Sequence, residues 1–291
     1  GSEEAAELRR QEQVPVSETL EYTMIDGIKC FSPDVAKDYT DYPDGGFDLT
    51  DSNAENSFWV SSRNRLFKRI VNRYRSPTGK TRFLEIGCGT GDFIQQIVEH
   101  DDFEITGSEV YLKGLVYARK NLPGVDFVQF DVTQGRIGEQ FDMIVAFDVL
   151  EHIDNDRTAI ANISEMLRPG GVLVVSVPQH MFMWGELDEI VKHKRRYSRR
   201  ELLGKLAESG LETRRCTSFV FTLFPLMYVS RLLDKQRDPS HSDEVALARR
   251  VTFPRVLNWF LDRFMRLDEA LITLGFSLPF GGTLLVVARK N

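Results

Sequence analysis

Phe83-Leu84-Glu85-Ile86-Gly87-Cys88-Gly89-Thr90-Gly91-Asp92-Phe93 is the stretch that decides the fold. Arg82 to Ile86 is a short, mostly apolar run of strand length, and Phe93, Ile94, Ile97 and Val98 then recur at helical spacing. A strand, a glycine turn and a helix open a nucleotide-binding α/β domain. Glycine is required where a ligand lies directly on backbone and a Cβ would collide with it. A dinucleotide fingerprint needs G-x-G-x-x-G. Here the glycines fall at 87, 89 and 91, and Asp92 stands at the third fingerprint position, which weakens the pyrophosphate reading.

Outward from this turn the chain alternates. Strands are predicted at 81–86, 103–108, 125–130, 141–147 and 172–177, with helices at 91–100, 112–121 and 155–168 between them. Strands separated by helices imply a parallel sheet covered on both faces. Ser198 and Glu201 form a capping-box pattern before a helix at 199–209. Further strands are predicted at 211–219 and 283–288. The fold class is α/β: a doubly wound, mostly parallel seven-stranded sheet, with an N-terminal helical arm and a helical insertion before the last strand.

The expected organisation is a disordered tail (1–21), an arm with a helix over 56–74 (22–79), a core (80–219), an insertion (220–280) and the last core strand (281–291). The segment 22–50 has loop composition, with aromatics such as Phe31, Tyr39, Tyr42 and Phe47 as anchors or as a lid. Arginines on the 56–74 helix read as a solvated face. In the insertion, Leu257, Phe260, Leu261, Phe264, Leu267, Leu271 and Leu274 recur at helical spacing. They suit a core face, a dimer face, a cap over a hydrophobic substrate or a membrane-surface contact.

With 291 residues, 42% hydrophobic and 27% charged, the composition is that of an ordinary globular protein. A formal net charge of −6 offers no global signal for nucleic acid. Cys30, Cys88 and Cys216 are far apart, which opposes a disulfide framework and suits a reducing cytoplasm. No basic-then-apolar signal segment opens the sequence. The longest apolar run, 219–229, is interrupted by Pro225 and is shorter than the ~20 residues a bilayer needs.

Glu85-x-Gly87-x-Gly89-x-Gly91 resembles the first motif of the class I S-adenosylmethionine (SAM) dependent methyltransferases. That resemblance covers residues 80 to 180 best. It implies SAM as cofactor, with S-adenosylhomocysteine as product, and a loop of Glu85, Gly87, Cys88, Gly89 and Gly91 beneath the methionine end. It assigns Glu109, at the end of the second core strand, to the ribose hydroxyls, and Asp131 and Val132, after the third, to the adenine. Phe147-Asp148-Val149-Leu150-Glu151-His152 is similar to the small-molecule branch, including quinone and biotin-pathway enzymes, and adds Phe147 and Asp148 to the cofactor set. The Asn/Asp-Pro-Pro-aromatic tetrad of amide and adenine-N6 methylases is absent from this strand end.

Asp148, Glu151 and His152 are spaced so that a helix would place them on one face. Such a set holds a divalent metal in some quinone O-methyltransferases, but the simpler reading is that Glu151 and His152 order the turn, and no metal is assigned. After the fifth core strand comes a long connection with Trp184-Gly185, Asp188 and His193-Lys194-Arg195-Arg196-Tyr197. It resembles a bacterial branch of polysaccharide and secondary-metabolite pathways, as does Ser57-Phe58-Trp59-Val60-x-x-Arg63-Asn64. Relatives there can carry an N-terminal zinc ribbon, of which only Cys30 is matched.

Long ordered loops tend to be functional. Trp184, Arg195, Arg196 and Tyr197 are therefore the expected substrate-binding residues, the arginines for an anionic group. A histidine suits an oxygen nucleophile that must lose a proton. His193, His180 and His152 are the candidates, with the two loop histidines preferred. The expected function is SAM-dependent methyl transfer to an O, N or C atom of a small molecule, in the cytoplasm. That acceptor would be hydrophobic or would bear an anionic handle. No nucleic acid partner is expected; a homodimer and contact with a membrane or a lipid-linked substrate stay open. The rivals are a non-catalytic SAM-binding subunit and an NAD-linked oxidoreductase.

Overall fold

The computed structural model describes residues 18–36, 57–233 and 253–291. Nine strands build one sheet: β1 (Thr23–Ile25), β2 (Ile28–Cys30), β3 (Thr81–Ile86), β4 (Phe103–Glu109), β5 (Asp126–Gln129), β6 (Phe141–Phe147), β7 (Leu167–Pro178), β8 (Leu211–Phe219) and β9 (Thr283–Lys290). Their spatial order is β1-β2-β5-β4-β3-β6-β7-β9-β8. The stretch β5-β4-β3-β6-β7 is parallel, and β9 runs antiparallel between β7 and β8. The chain leaves β3 toward β4 and β5, then returns to place β6 on the other flank. The order thus reverses between β3 and β6, and there a crevice opens at the strands' carboxyl ends.

Among the described residues eight α-helices flank the sheet: α1 (Phe58–Tyr74), α2 (Asp92–Ile97), α3 (Leu112–Asn121), α4 (Asp156–Met166), α5 (Glu186–Ile190), α6 (Arg199–Glu208), α7 (Phe224–Leu233) and α8 (Arg255–Thr273). Successive strand residues point to opposite faces. Leu84, Ile144, Val175 and Val286 meet α4 and α6 through Ile160, Ile163, Leu202 and Leu206. Phe83, Val145, Val174 and Val287 meet α1, α2 and α8 through Leu66, Phe67, Phe93, Leu261 and Met265. Both faces are buried, which is why these strands read as near-continuous apolar runs.

Three expectations change. The sheet has nine strands, because the arm expected as loop forms β1 and β2, and β2 adds itself parallel to β5. Within the expected tail, residues 18–20 are ordered: Leu20 N–H donates to the Arg136 carbonyl and Arg136 N–H to that of Glu18. The arginines of α1 are not a solvated row. Arg65 and Arg69 both bind Glu269 of α8, at 2.6 and 2.9 Å. Phe31 anchors the arm on Phe130, whereas Tyr39, Tyr42 and Phe47 lie outside the described residues.

α8 is turned differently from its apolar stripe. It buries Leu261, Met265, Asp268, Glu269 and Ile272, while Leu257, Phe260, Phe264, Leu267 and Leu274 stay exposed. Polar neighbours set that rotation. Glu269 collects Ser62, Arg65 and Arg69, and Asp268 accepts the backbone N–H groups of Phe221 and Thr222. Among the described residues no helix is long and apolar enough to cross a membrane.

Phe67 is fully buried and stacks on Phe147 with ring centroids 4.1 Å apart. Phe67→Ala is expected to lower the free energy of urea unfolding by about 3–5 kcal/mol. Phe264→Ser, on the exposed side of α8, should change it by less than about 0.5 kcal/mol.

Candidate active site

The loop after β3 uses its glycines for three purposes. Gly87 has φ +70°, and a Cβ there would lie 2.5 Å from Cγ2 of Val149, so the turns after β3 and β6 press together. Gly89 has φ +54°, and nothing stands within 4 Å of where its Cβ would be, which leaves bare backbone facing open space. Gly91, at φ +89°, is the N-cap residue of α2. Between them Cys88 donates its N–H to the Ser108 carbonyl at 2.9 Å, and burial pushes its thiol well up.

Carboxyl groups surround this bare backbone. Glu85 is buried, its Oε2 has no partner, and burial raises its carboxyl to about 8 despite the nearby charge of Arg63. Glu109 ends β4. Its Oε2 accepts Gly89 N–H at 3.0 Å and its Oε1 accepts Val110 N–H at 2.8 Å. Burial raises that carboxyl and the backbone N–H groups partly offset the rise. Asp131 follows β5 with Oδ1 held by Thr133, and the buried Val132 is fixed through its carbonyl by Asn162. A cation placed beside Glu85 would favour its anion at a lower pH, and this crevice suits a ligand that carries one.

Past β6, Phe147 belongs to the aromatic core, between Phe67 and Phe93. Asp148 takes the left-handed backbone at φ +57°, rare for a residue with a Cβ. It is held there by Arg63 at 2.7 Å and by the Ser176 hydroxyl at 2.9 Å. It therefore does not join Glu151 and His152 as spacing allowed.

Glu151 and His152 meet a different partner, His193 of the long connection. The His152 and His193 rings lie 4.8 Å apart, and His193 Nε2 is 3.7 Å from Glu151 Oε1. Lys194 N–H donates to the Glu151 carbonyl at 2.8 Å, which ties loop to turn. His193 Nδ1 lies 2.8 Å from Oδ1 of the buried Asp188, and Arg196 Nε donates to the same oxygen at 2.8 Å. Burial alone would raise the Asp188 carboxyl, but these two hydrogen bonds hold it below the usual range. Burial, with His193 close beside it, pushes His152 down to about 4, so it is neutral at physiological pH.

His180 is placed apart from this group. It stacks on Phe182 with centroids 4.9 Å apart and touches Phe224, and burial lowers its pKa. The expected substrate residues also separate. Tyr197 is fully enclosed, and its hydroxyl donates to Asp156 at 2.6 Å. Arg196 is buried against Asp188, and Arg195 bonds Asp156 at 3.1 Å. Trp184 is half-buried at the loop's edge.

Glu151, Asp188, Arg63 and Ser176 were not among the residues expected to form the site. Asp188 and His193 are joined across the end of α5, a contact that no helical or strand period signals.

Three comparisons bear on this geometry. Residues 56–215 match a family model described as a methyltransferase domain. A ubiquinone biosynthesis O-methyltransferase of Rickettsia canadensis is 21% identical over 175 residues, covering 54% of this chain and 73% of that one. A trans-aconitate 2-methyltransferase of Acidovorax ebreus is 30% identical over 122 residues, 42% of this chain and 47% of its own, so about half of that relative is spanned. Among solved structures, the [4+2]-cyclase SpnF aligns over 98% of this chain and 92% of its own, at 20% identity and a TM-score of 0.51, which is a likeness of fold.

The raised Glu85 carboxyl fixes the sign of one pH effect. Its contribution to the stability of the ligand-free protein is complete below its ordinary value near 4.5 and is lost as pH rises toward about 8. Urea midpoints measured between pH 5.5 and 8.5 are expected to fall across that range, and Glu85→Gln to flatten the fall.

Proposed function

This chain belongs to the SAM-dependent methyltransferase family, and from that premise we propose that it methylates an oxygen atom of a hydrophobic, hydroxylated small molecule. Family membership sets aside the NAD-linked reading. The observation that carries the proposal is the group of Glu151, His152, His193 and Asp188 beside the crevice, with both carboxyls buried and both histidines partly so. Such a group has the chemistry to take a proton from an acceptor.

Bound SAM supplies a methyl group on a sulfonium, an electrophile already activated. The chain's own residues hold it and exclude water. Glu85, with Arg63 nearby, would answer the α-ammonium of the methionine end, a cation this orphaned carboxylate fits. Gly87, Cys88, Gly89 and Gly91 would supply the floor, Glu109 the ribose contact, and Asp131 with Val132 the adenine contact. Phe147 supports the floor from beneath, and Asp148 keeps the turn in place.

On the acceptor side, His193 carries its Nδ1 hydrogen bond to Asp188, which leaves Nε2 turned toward Glu151. That tautomer can take a proton from an acceptor hydroxyl, and the Asp188 carboxylate at Nδ1 stabilises the imidazolium that results. The hydrophobic character is read from the rim. Met181, Phe182, Tyr228 and Phe280 are exposed around His180 at the carboxyl end of β7. Arg195 and Arg196 are engaged by Asp156 and Asp188, which argues against an anionic handle. The names of relatives, a ubiquinone-pathway O-methyltransferase among them, agree with oxygen as acceptor.

If Glu85 must be ionised to hold the α-ammonium, SAM affinity measured by calorimetry should rise from pH 6.5 toward about 8 and fall again above it, as the α-ammonium loses its own proton. Glu85→Gln should bind weakly at every pH. With labelled SAM and a panel of phenols and hydroxylated quinones, His193→Ala should lower kcat by about 100- to 10,000-fold with little change in SAM affinity. SAM binding without transfer of label to any acceptor would favour the non-catalytic subunit.

A further inference from the structure

We propose that the outward face of α8, with the exposed side of α7, docks on the surface of a bilayer that contains anionic lipid. On α8, Trp259, Phe260, Phe264 and Leu267 are each 51–53% exposed, and on α7 Tyr228 and Val229 are exposed as well. The two helices adjoin. The Thr222 hydroxyl, two residues before α7, donates to the Phe264 carbonyl of α8 at 3.1 Å. Large apolar side chains gathered on one face, rather than scattered singly, mark a surface that something covers.

The stripe is held outward. On the opposite side of α8, Glu269 binds Arg65 at 2.6 Å, Arg69 at 2.9 Å and the Ser62 hydroxyl at 2.8 Å, all from α1. Asp268 accepts the N–H groups of Phe221 and Thr222. Rolling the helix by half a turn would strip two buried carboxyls and a buried guanidinium face of their partners, which costs more than covering the stripe returns. Those same bonds sort the charges. Asp268 and Glu269 are buried and Asp262 is partly buried against Arg65, whereas Arg255, Arg263 and Arg266 are exposed. The outward face of α8 is thus apolar with a cationic margin, in a chain whose formal net charge is −6.

That combination of apolar and cationic groups selects the occupant. Aromatic and leucine side chains enter the boundary between headgroups and acyl chains, and arginines meet the lipid phosphates. Arg263 lies over the Trp259 ring, 4.9 Å from its centroid, which joins a cation to an interfacial aromatic. A second copy of this chain fits less well, because a twofold contact would set one arginine margin near the other. α8 carries Arg255, Asp262, Arg263, Arg266, Asp268 and Glu269, so it lies on a bilayer and does not cross it. The face reaches the mouth of the crevice. At the start of α8 the Asn258 side chain accepts the N–H of Phe58 in α1 at 2.8 Å, and Tyr228 packs against Phe182 on the rim after β7. Docking would therefore turn the crevice end of the molecule toward lipid, whichever atom is methylated.

The test uses the full chain with neither SAM nor acceptor present, so its outcome is separate from that of the methyl-transfer reading. The protein is floated with vesicles of phosphatidylcholine alone and of phosphatidylcholine with about 30% phosphatidylglycerol. Binding to the anionic vesicles is expected, weakening about 10-fold or more between about 50 and 500 mM NaCl, with little binding to the neutral ones. Phe260→Ser with Phe264→Ser should weaken it by about 10-fold or more. Arg255→Gln with Arg263→Gln should remove the preference for anionic lipid. Val116→Ser, at an exposed apolar residue of α3, should leave binding unchanged. Brominated acyl chains should quench the tryptophan fluorescence, and Trp259→Phe should abolish most of that quenching. Thermal melts confirm that each variant is folded. Absence of binding, binding that survives the double phenylalanine variant, or equal binding to neutral vesicles overturns the proposal. So does a dimer in sedimentation equilibrium that this variant dissociates while vesicles stay unbound, which would give the face to a second copy.

Discussion

The ion pair between Arg63 and Asp148 is the contact on which the crevice depends. It joins α1 to the turn after β6, and the Ser176 hydroxyl from β7 completes the hold on Asp148. Asp148 needs that hold, since its backbone is left-handed and a residue with a Cβ reaches that region only at a cost of about 1–2 kcal/mol. The same turn presses Val149 against Gly87 and carries Glu151 and His152. One pair of charges therefore sets the distance between the glycine floor and the acceptor-side cluster. Arg63 is also the cation whose charge is felt at both Glu85 and Glu151.

The two halves of the site are built on different physics. On the cofactor half the groups are backbone amides and carboxyls fixed by strand ends. Glu109 binds the N–H groups of its own turn and of Gly89, so it shapes the floor as well as facing the crevice. On the acceptor half the groups come from a 3-10 turn and a long loop. Their positions are set by a relay of hydrogen bonds from Arg196 to Asp188 to His193. The first half is built from strand ends and backbone, as the proposed cofactor role needs; the second is built on the loop.

Family membership and fold fit together without settling the chemistry of the acceptor. A cyclase shares the fold over nearly the whole chain, and sites, not folds, carry activities. The acceptor-side cluster is thus the discriminating part. Its buried Glu151, with neither carboxyl oxygen hydrogen-bonded, contrasts with Asp156, which accepts from Lys205 and Tyr197.

The sequence alone determined the parallel core and the glycine turn, and located the strand-end residues of the proposed cofactor side. Those features are local: β3 and α2 announce themselves by period, and Glu85, Glu109, Asp131 and Asp148 sit at predictable strand ends. What needed the tertiary structure was everything made by contacts distant in sequence. The N-terminal arm looked like loop because β1 and β2 are three residues each, and β2 gains its ladder only from β5. The apolar stripe of α8 suited a core face, a dimer face, a cap or a membrane contact alike; Arg65, Arg69 and Ser62 draw Glu269 into the core and turn most of that stripe out. His193 joined Glu151 and His152, while Arg196 and Tyr197 became supports, because burial leaves each charge and hydroxyl to find its partner in space, and spacing along the chain carries no record of that choice.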